Sequence, residues 1–298
     1  MAFDHKHLID ITEYSADDIM TILETAKTFK QVNERRIKKV PTLKGFTVVN
    51  MFNEPSTRTR SSFEIAEKRL SADSLNFGGS STATVKGESL VDTVKTLCSY
   101  KIDCIVVRDR WAGVPRKIAD VSGVSVIDAG DGKHQHPTQA LLDLYSIWEE
   151  KGSFDNLHVG VVGDISHSRV CGSLIPALKI MGCEVTVIAP PTLLPARPDI
   201  LGADHVTSNL DELDVVYMLR IQRERFEGAP YPNLREYNLL YGLTEERDKL
   251  LKPDACVCHP GPINRGVELD SFMADHPKRS IILDQVYAGV LVRMAALY

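Results

Sequence analysis

Four arginines stand where apolar, strand-like runs stop, at Arg58, Arg108, Arg169 and Arg220, and a lysine, Lys86, lies in a Ser/Thr/Gly-rich stretch. The densest setting is Phe52-Asn53-Glu54-Pro55-Ser56-Thr57-Arg58-Thr59-Arg60-Ser61-Ser62-Phe63. It follows a β-rich run from Phe46 to Phe52 and precedes a helical pattern carried by Phe63, Ile65, Ala66 and Leu70. Ser-Thr-Arg-Thr-Arg is thereby placed at a strand-to-helix turn, where helix-start N–H groups lack backbone acceptors. Hydroxyls, backbone amides and two guanidinium groups converging there make a cradle for phosphate. It is not a Walker loop, because the glycines and the Lys-Ser/Thr ending are missing. The plainer alternative is a capped helix whose arginines face solvent.

Further polar segments follow strand-like runs. Gly130-Asp131-Gly132-Lys133-His134-Gln135-His136-Pro137-Thr138-Gln139 follows a run ending at Ala129 and opens a leucine-rich helix. A histidine there is either a surface cap or a donor aimed at a ligand. Val161-Val162-Gly163-Asp164-Ile165-Ser166-His167-Ser168-Arg169 has the look of a nucleotide-binding turn but lacks Gly-x-Gly-x-x-Gly. Arg220 ends Val215-Val216-Tyr217-Met218-Leu219, with Gln222, Arg223 and Glu224 behind it. Two arginines at the ends of neighbouring strands suit a ligand with two carboxylates, each held bidentately. Cys258-His259-Pro260-Gly261-Pro262-Ile263-Asn264-Arg265-Gly266 closes the set, with Gly261-Pro262 a candidate cis peptide.

Parallel α/β sheets position such loops together, because the loops after parallel strands gather at one edge. The chain has that rhythm. Ser15 caps a first helix with Asp17 and Asp18 in its first turn and Ile19, Ile22, Leu23, Ala26 and Phe29 on its apolar stripe. Strands are expected at 46–52, 73–77, 103–107 and 125–129, with helices at 61–70, 88–100 and 114–121. A second series has strands near 158–162, 184–189, 215–219 and 255–258. Two doubly wound α/β domains of similar build are therefore expected, each with a parallel sheet. The expected boundaries are 1–136 for the first domain, 137–150 for a linking helix with Leu141, Leu142, Leu144, Tyr145 and Trp148 inward, and 151–285 for the second. The last helix, 286–298, is expected to pack back on the first domain.

Composition narrows the classes. The 298 residues suffice for two modest cores, and 43% apolar with 25% charged residues is ordinary for a globular enzyme. A formal charge of −5 gives no broad basic surface for nucleic acid, so any positive field must be local. No apolar run approaches the ~18 residues of a membrane span. Met-Ala-Phe-Asp-His-Lys-His lacks the apolar core of a secretory signal, which points to a cytoplasmic chain and reduced thiols for its six cysteines. Cys256-Val257-Cys258-His259 has no second ligand pair at zinc-site spacing, and neither a metal nor a cofactor is expected.

Taken in order, these segments resemble the catalytic chains of the aspartate carbamoyltransferases, within the aspartate/ornithine carbamoyltransferase superfamily. The resemblance runs from Leu8-Ile9-Asp10 to the last helix. It implies that Ser56, Thr57, Arg58 and Thr59 bind the phosphate of carbamoyl phosphate. Arg108, His136 and Thr59 would face the carbonyl oxygen, with Gln139 near the carbamoyl amine. Arg169, Arg220 and Gln222 would hold aspartate, and the backbone at Gly261 and Pro262 would line the reacting centre. A loop from a neighbouring subunit of a homotrimer, here Ser80 to Glu88, would complete each site, with Lys86 reaching both substrates. Larger assemblies with a regulatory chain or a dihydroorotase occur in such a family. Departures are Thr82 where serine is frequent, His167-Ser168 for Tyr-Gly, and Gly261 for leucine. The ornithine branch carries Ser-Met-Gly and His-Cys-Leu-Pro where this chain has Arg220-Ile221-Gln222 and His259-Pro260-Gly261-Pro262, which favours a dicarboxylate. A non-catalytic scaffold of the same fold is the rival from another class, and loss of Arg58, His136 or Lys86 would have supported it.

Overall fold

The computed structural model describes residues 3–78, 88–206, 209–222 and 233–298. Contacts divide the chain into two compact units, 1–142 with 287–298, and 143–286.

The first unit is built on four parallel strands, β1 (Thr47–Phe52), β2 (Asp73–Phe77), β3 (Cys104–Asp109) and β4 (Ser125–Asp131), in the order β2-β1-β3-β4. β1, β3 and β4 are buried along nearly their whole length, the pattern of strands covered on both faces. β2 is an edge strand and largely exposed. Helices α1 (Ala16–Glu34), α2 (Thr57–Leu70), α3 (Leu90–Ser99) and α4 (Val114–Ser122) accompany the sheet. Val49, Met51, Val94, Leu97, Ile105, Val107, Ile118 and Val126 make one continuous core from strands and helices together. The N-terminal segment lies alongside β4, with Leu8 N–H donating to Val126 at 2.9 Å and Asp128 N–H donating to Leu8 at 2.8 Å. At the far end of the chain, Arg293 stacks 5.2 Å over Phe63 and Tyr298 meets Phe29 edge-on.

Helix α5 (Pro137–Lys151) opens in the first unit and ends in the second. The second unit has five parallel strands, β5 (His158–Val162), β6 (Glu184–Ile188), β7 (His205–Val206), β8 (Val215–Met218) and β9 (Cys256–Cys258), in the order β7-β6-β5-β8-β9. Helices α6 (Arg169–Ile180), α7 (Leu234–Tyr241), α8 (Glu245–Asp248) and α9 (Ser271–Ala274) accompany it, and α10 (Ile282–Leu297) begins in this unit and runs on as the last part of the first. Val162, Leu213, Val216, Met218, Val257, Leu269 and Met273 are among the residues of its core.

The two-sheet parallel α/β architecture is the one the sequence rhythm predicts, with three differences. Helix α2 starts at Thr57 rather than at residue 61, because Ser56 alone takes the extended N-cap conformation. Thr57 to Arg60 thus form its first turn, not the preceding loop. β3 and β4 run on to Asp109 and Asp131, which pair beyond a register shift. β7 was not read from the sequence, since two residues carry no periodicity.

Glu67 is fully buried between α2 and the sheet, and the Asn50 side chain donates to both of its oxygens at 2.9 and 3.0 Å. Burial raises its pKa from the ordinary 4.5, with hydrogen bonds from Ser74 and Asn50 opposing that rise. The fold therefore holds this proton more tightly than the unfolded chain does. Its contribution is full below the unfolded value and is lost as pH rises through the folded one. Glu67→Gln removes that loss, so its stability relative to the parent should grow between about pH 5 and about pH 8. Urea titrations at both pH values check this, and a difference independent of pH would contradict it.

Candidate active site

Each sheet changes direction once. In the first, the chain leaves β1 outward to β2 and returns past it to β3, so the crevice between the carboxyl ends of β1 and β3 is a topological switch point. Arg58 follows β1, Arg108 is the penultimate residue of β3 and His136 follows β4, which puts them at the carboxyl ends of three consecutive strands of one sheet.

The β1 and β3 loops are tied across the crevice. Asn53 N–H donates to the Arg108 carbonyl at 2.9 Å, and its side-chain amide donates to Asp109 at 2.8 Å. Arg108 Nε faces Glu54 at 3.2 Å and its Nη1 donates to the Ala129 carbonyl at 3.2 Å, so one guanidinium touches the loop after β1 and the β4 strand itself. Asp109 also accepts the Trp111 N–H at 2.9 Å, and Asp131 accepts that of Gly113 at 2.8 Å. His136 is 4% exposed. Its neighbour Gln135 accepts the Ile11 N–H at 3.0 Å and donates to Asp10 at 2.6 Å, anchoring the loop to the N-terminal segment. Gln139 is buried in the first turn of α5.

The start of α2 lacks the cap and the acids that α1, α3 and α7 have. Ser56 makes no side-chain cap bond, and the first turn holds no acid but two arginines. α1, by contrast, has a full capping box on Ser15 with Asp17 and Asp18, while α3 and α7 are capped by Ser89 and Asn233 with an acid in the first turn. Arginines beside the positive end of a helix dipole are unfavourable unless an anion joins them. Thr59 is buried, whereas Thr57 and Arg58 are exposed and Ser56 half-buried, so the uncapped amides and the guanidinium are presented together.

The second unit repeats the arrangement. Its switch point lies between β5 and β8. Arg169 opens α6 after β5, again without a side-chain cap or an acid in the first turn, and is 5% exposed. Arg220 and Gln222 follow β8, and the Gly261–Pro262 segment follows β9, the next strand. Asp164, fully buried, bridges the switch point. It accepts the His167 N–H at 3.3 Å and lies 2.7 Å from His167 Nδ1, and its other oxygen accepts the Gln222 N–H at 3.2 Å. Gln222 Nε2 donates to the His167 carbonyl at 3.0 Å, a second tie between the same loops. Gly163 has φ +128° and a Cβ there would lie 2.6 Å from the Leu219 carbonyl oxygen, so only glycine lets these strand ends close up.

Sequence reasoning had passed over Asp164, Asp109 and Asp131, and had given Glu54 no partner. Their signal was present only as acids beside loop cations, which is indistinguishable from solvated charge until the partners are known. Lys86 and the rest of the Ser80–Glu88 loop, except Glu88, lie outside the described residues, as do Arg223 and Glu224. Among the described residues no cluster of metal-ligating side chains occurs. Burial pushes the Cys104 and Cys171 thiols up to about 12 and that of Cys183 to about 11, so none of the three is a thiolate nucleophile at neutral pH.

Residues 6–149 match the family model for the aspartate/ornithine carbamoyltransferase carbamoyl-P binding domain, and residues 155–298 match that for the Asp/Orn binding domain. The chain belongs to the aspartate/ornithine carbamoyltransferase family. It is 54% identical to the aspartate carbamoyltransferase catalytic subunit of Syntrophotalea carbinolica, covering 100% of this chain and 96% of that one. It is 49% identical to that of Sorangium cellulosum, covering 99% and 93%. Among solved structures, it resembles the aspartate transcarbamoylase of Trypanosoma cruzi in complex with carbamoyl phosphate, with a TM-score of 0.90 and 29% identity over 99% of this chain and 95% of that one. The catalytic subunit of M. jannaschii aspartate transcarbamoylase gives a TM-score of 0.85 and 35% identity over 98% of this chain and 97% of that one.

The uncapped start of α2 yields a test. Thr57→Glu adds an acid to the first turn and should raise unliganded stability by about 0.3–1 kcal/mol, while weakening binding of inorganic phosphate by charge repulsion. Denaturant titration and calorimetry check the two effects. Unchanged phosphate affinity would remove this helix start from the site.

Proposed function

We propose that this chain transfers the carbamoyl group of carbamoyl phosphate to the α-amine of L-aspartate, giving N-carbamoyl-L-aspartate and phosphate, an early step of de novo pyrimidine biosynthesis. The observation that carries this reading is the pair of cationic switch points, one in each unit, each with an uncapped helix start that suits an anion. The relatives named as aspartate carbamoyltransferases, and the T. cruzi structures with carbamoyl phosphate, aspartate and N-(phosphonacetyl)-L-aspartic acid, support the same substrates.

In this reading Ser56, Thr57, Arg58 and Thr59 bind the phosphate, while Arg108, His136 and Thr59 polarise the carbonyl and Gln139 orients the carbamoyl amine. Arg169, Arg220 and Gln222 hold the two carboxylates of aspartate. The amine attacks the carbonyl carbon, its oxygen takes the negative charge of the tetrahedral state, and the C–O bond to phosphate breaks. Each donor aimed at that oxygen is worth roughly 2.7–4 kcal/mol in a water-excluded site. No side chain is acylated, so no nucleophile is needed. The remaining task is to hold two anions together against their repulsion, which cations and positioning accomplish.

Offered side by side in a carbamoyl-transfer assay, aspartate should be carbamoylated and ornithine little or not at all. Arg220-Ile221-Gln222 supplies a cation and an amide where an ornithine site needs a partner for a second amine. Equal turnover of the two would overturn the dicarboxylate reading.

We further infer a cytoplasmic homotrimer in which Lys86 serves a neighbouring subunit's site, with higher assembly through a regulatory chain or dihydroorotase open to such a trimer. Among the described residues no helix is long and apolar enough to cross a membrane. Refolding inactive Arg58→Ala and Lys86→Ala proteins together tests the sharing. Random mixing makes three quarters of trimers mixed, each with one intact site in three, so roughly one quarter of native activity should return. Verified mixed trimers as inactive as either parent would return Lys86 to its own chain.

A further inference from the structure

A chain of buried polar side chains in the second unit ends on the loop after β9 and is used by none of the roles above. Tyr217 on β8 donates its hydroxyl to Asp143 of α5 at 2.6 Å, and Gln285 of α10 donates to the other oxygen of Asp143 at 2.7 Å. The Gln285 oxygen accepts the His259 N–H at 2.9 Å. All four residues are at least nine-tenths buried. The backbone of His259 is therefore pinned at the last turn before Pro260.

The His259 ring is completely buried and makes two further contacts. Gly261 N–H donates to Nδ1 at 2.8 Å, and Nε2 lies 3.2 Å from Glu268 Oε1. A backbone N–H can only donate, so Nδ1 must carry a lone pair. The ring is then neutral with its proton on Nε2, donated to the Glu268 carboxylate. The same Glu268 oxygen accepts the Asn264 N–H at 2.6 Å. One ring and one carboxylate thus fasten both ends of the segment 261–264.

The consequence for the backbone is geometric. The Pro260–Gly261 peptide is trans, so its C=O points opposite to its N–H. With the N–H turned inward onto Nδ1, the Pro260 carbonyl points away from the buried ring. Gly261 holds φ +64°, the left-handed region that glycine adopts without strain, and Pro262 beyond it is exposed. The attacking amine and the carbamoyl –NH2 beside the reacting carbon both carry N–H donors that a fixed carbonyl can accept.

We propose that His259 is a positioning residue for the transfer reaction: its Nδ1 fixes the Gly261 amide and so aims the Pro260 carbonyl as an acceptor for substrate N–H groups, with Glu268 and Gln285 fixing the ring. The proposal rests on the reading that the Gly261–Pro262 loop lines the reacting centre. A purely structural staple makes a different prediction, because it needs only that the volume and the link to Glu268 survive.

Two substitutions separate the ring's nitrogens. In His259→Asn the side-chain oxygen sits where Nδ1 was and accepts the amide two residues on, as asparagine does in turns. His259→Gln extends an amide to the place of Nε2 and keeps the donor to Glu268, but gives up the acceptor for Gly261. His259→Gln should lose about 100-fold in kcat, the scale of a small misplacement at a reacting centre, whereas His259→Asn should stay within about tenfold of the parent. Affinity for carbamoyl phosphate alone should be unchanged in both. Melting temperature is measured alongside. If kcat follows melting temperature, or the Gln variant equals or exceeds the Asn variant in kcat, His259 is structural only and the proposal is overturned. The underlying reading has its own readout. In glycine-15N-labelled parent protein the Gly261 amide resonance should shift on adding N-carbamoyl-L-aspartate with phosphate. No shift there removes the loop from the reacting centre whatever the kinetics show, and a shift combined with equal kcat for the two variants removes His259 alone.

Discussion

Buried carboxylates that accept backbone amides at the strand ends are the interaction on which both half-sites depend. Asp109 and Asp131 tie the loops after β1, β3 and β4, and Asp164 ties those after β5 and β8. A carboxylate removed from water is costly unless several donors meet it, and hydrogen bonds to the ionised form are about twice as strong as neutral ones. Where an aspartate sits at a switch point, those donors come from two loops at once. The loops become mutually fixed, and the guanidinium groups they carry inherit that order. Without such ties, arginines on long side chains would spread over many rotamers, and each would have to be ordered at the moment of binding.

The same constraint explains why these helix starts tolerate arrangements that oppose folding. α2 and α6 carry arginine in the first turn without an acid or a side-chain cap, while α1, α3 and α7 use serine or asparagine caps with acids in the first turn. α4 also starts without a side-chain cap or an acid, so it is the place of α2 and α6 at the switch points, together with their uncapped starts, that suits them to an external anion. The net charge is −5, and four arginines, Arg58, Arg108, Arg169 and Arg220, stand at the carboxyl ends of strands.

In the second unit the polar network of Tyr217, Asp143, Gln285, His259 and Glu268 shows the same logic one layer further in. Fully buried groups have one satisfactory arrangement, so they specify a single geometry rather than a distribution. Such a network suits a loop whose only contributions are backbone atoms, since a carbonyl is aimed by its peptide plane alone.

The alternation of strands and helices, the cations after Phe52, Val107, Ser168 and Leu219, and the glycine turns were legible in the sequence. Apolar periodicity and loop composition are properties of neighbouring residues, and the dozen residues from Phe52 to Phe63 carry hydroxyls, guanidiniums and a helix start in one span. Strand order was not legible, because pairing β1 with both β2 and β3 joins segments more than 20 residues apart and leaves no local mark. With it went the switch points, the partners of Asp109, Asp131 and Asp164, and the role of Glu54 beside Arg108. β7 and the true start of α2 were missed for a nearer reason: two residues and a single extended N-cap are too little for periodicity to register. Sequence alone determined which side chains were available for chemistry. Tertiary structure decided which carboxylate holds which loop, because a hydrogen bond depends on where the backbone brings its donor, and that is settled only when the sheets form.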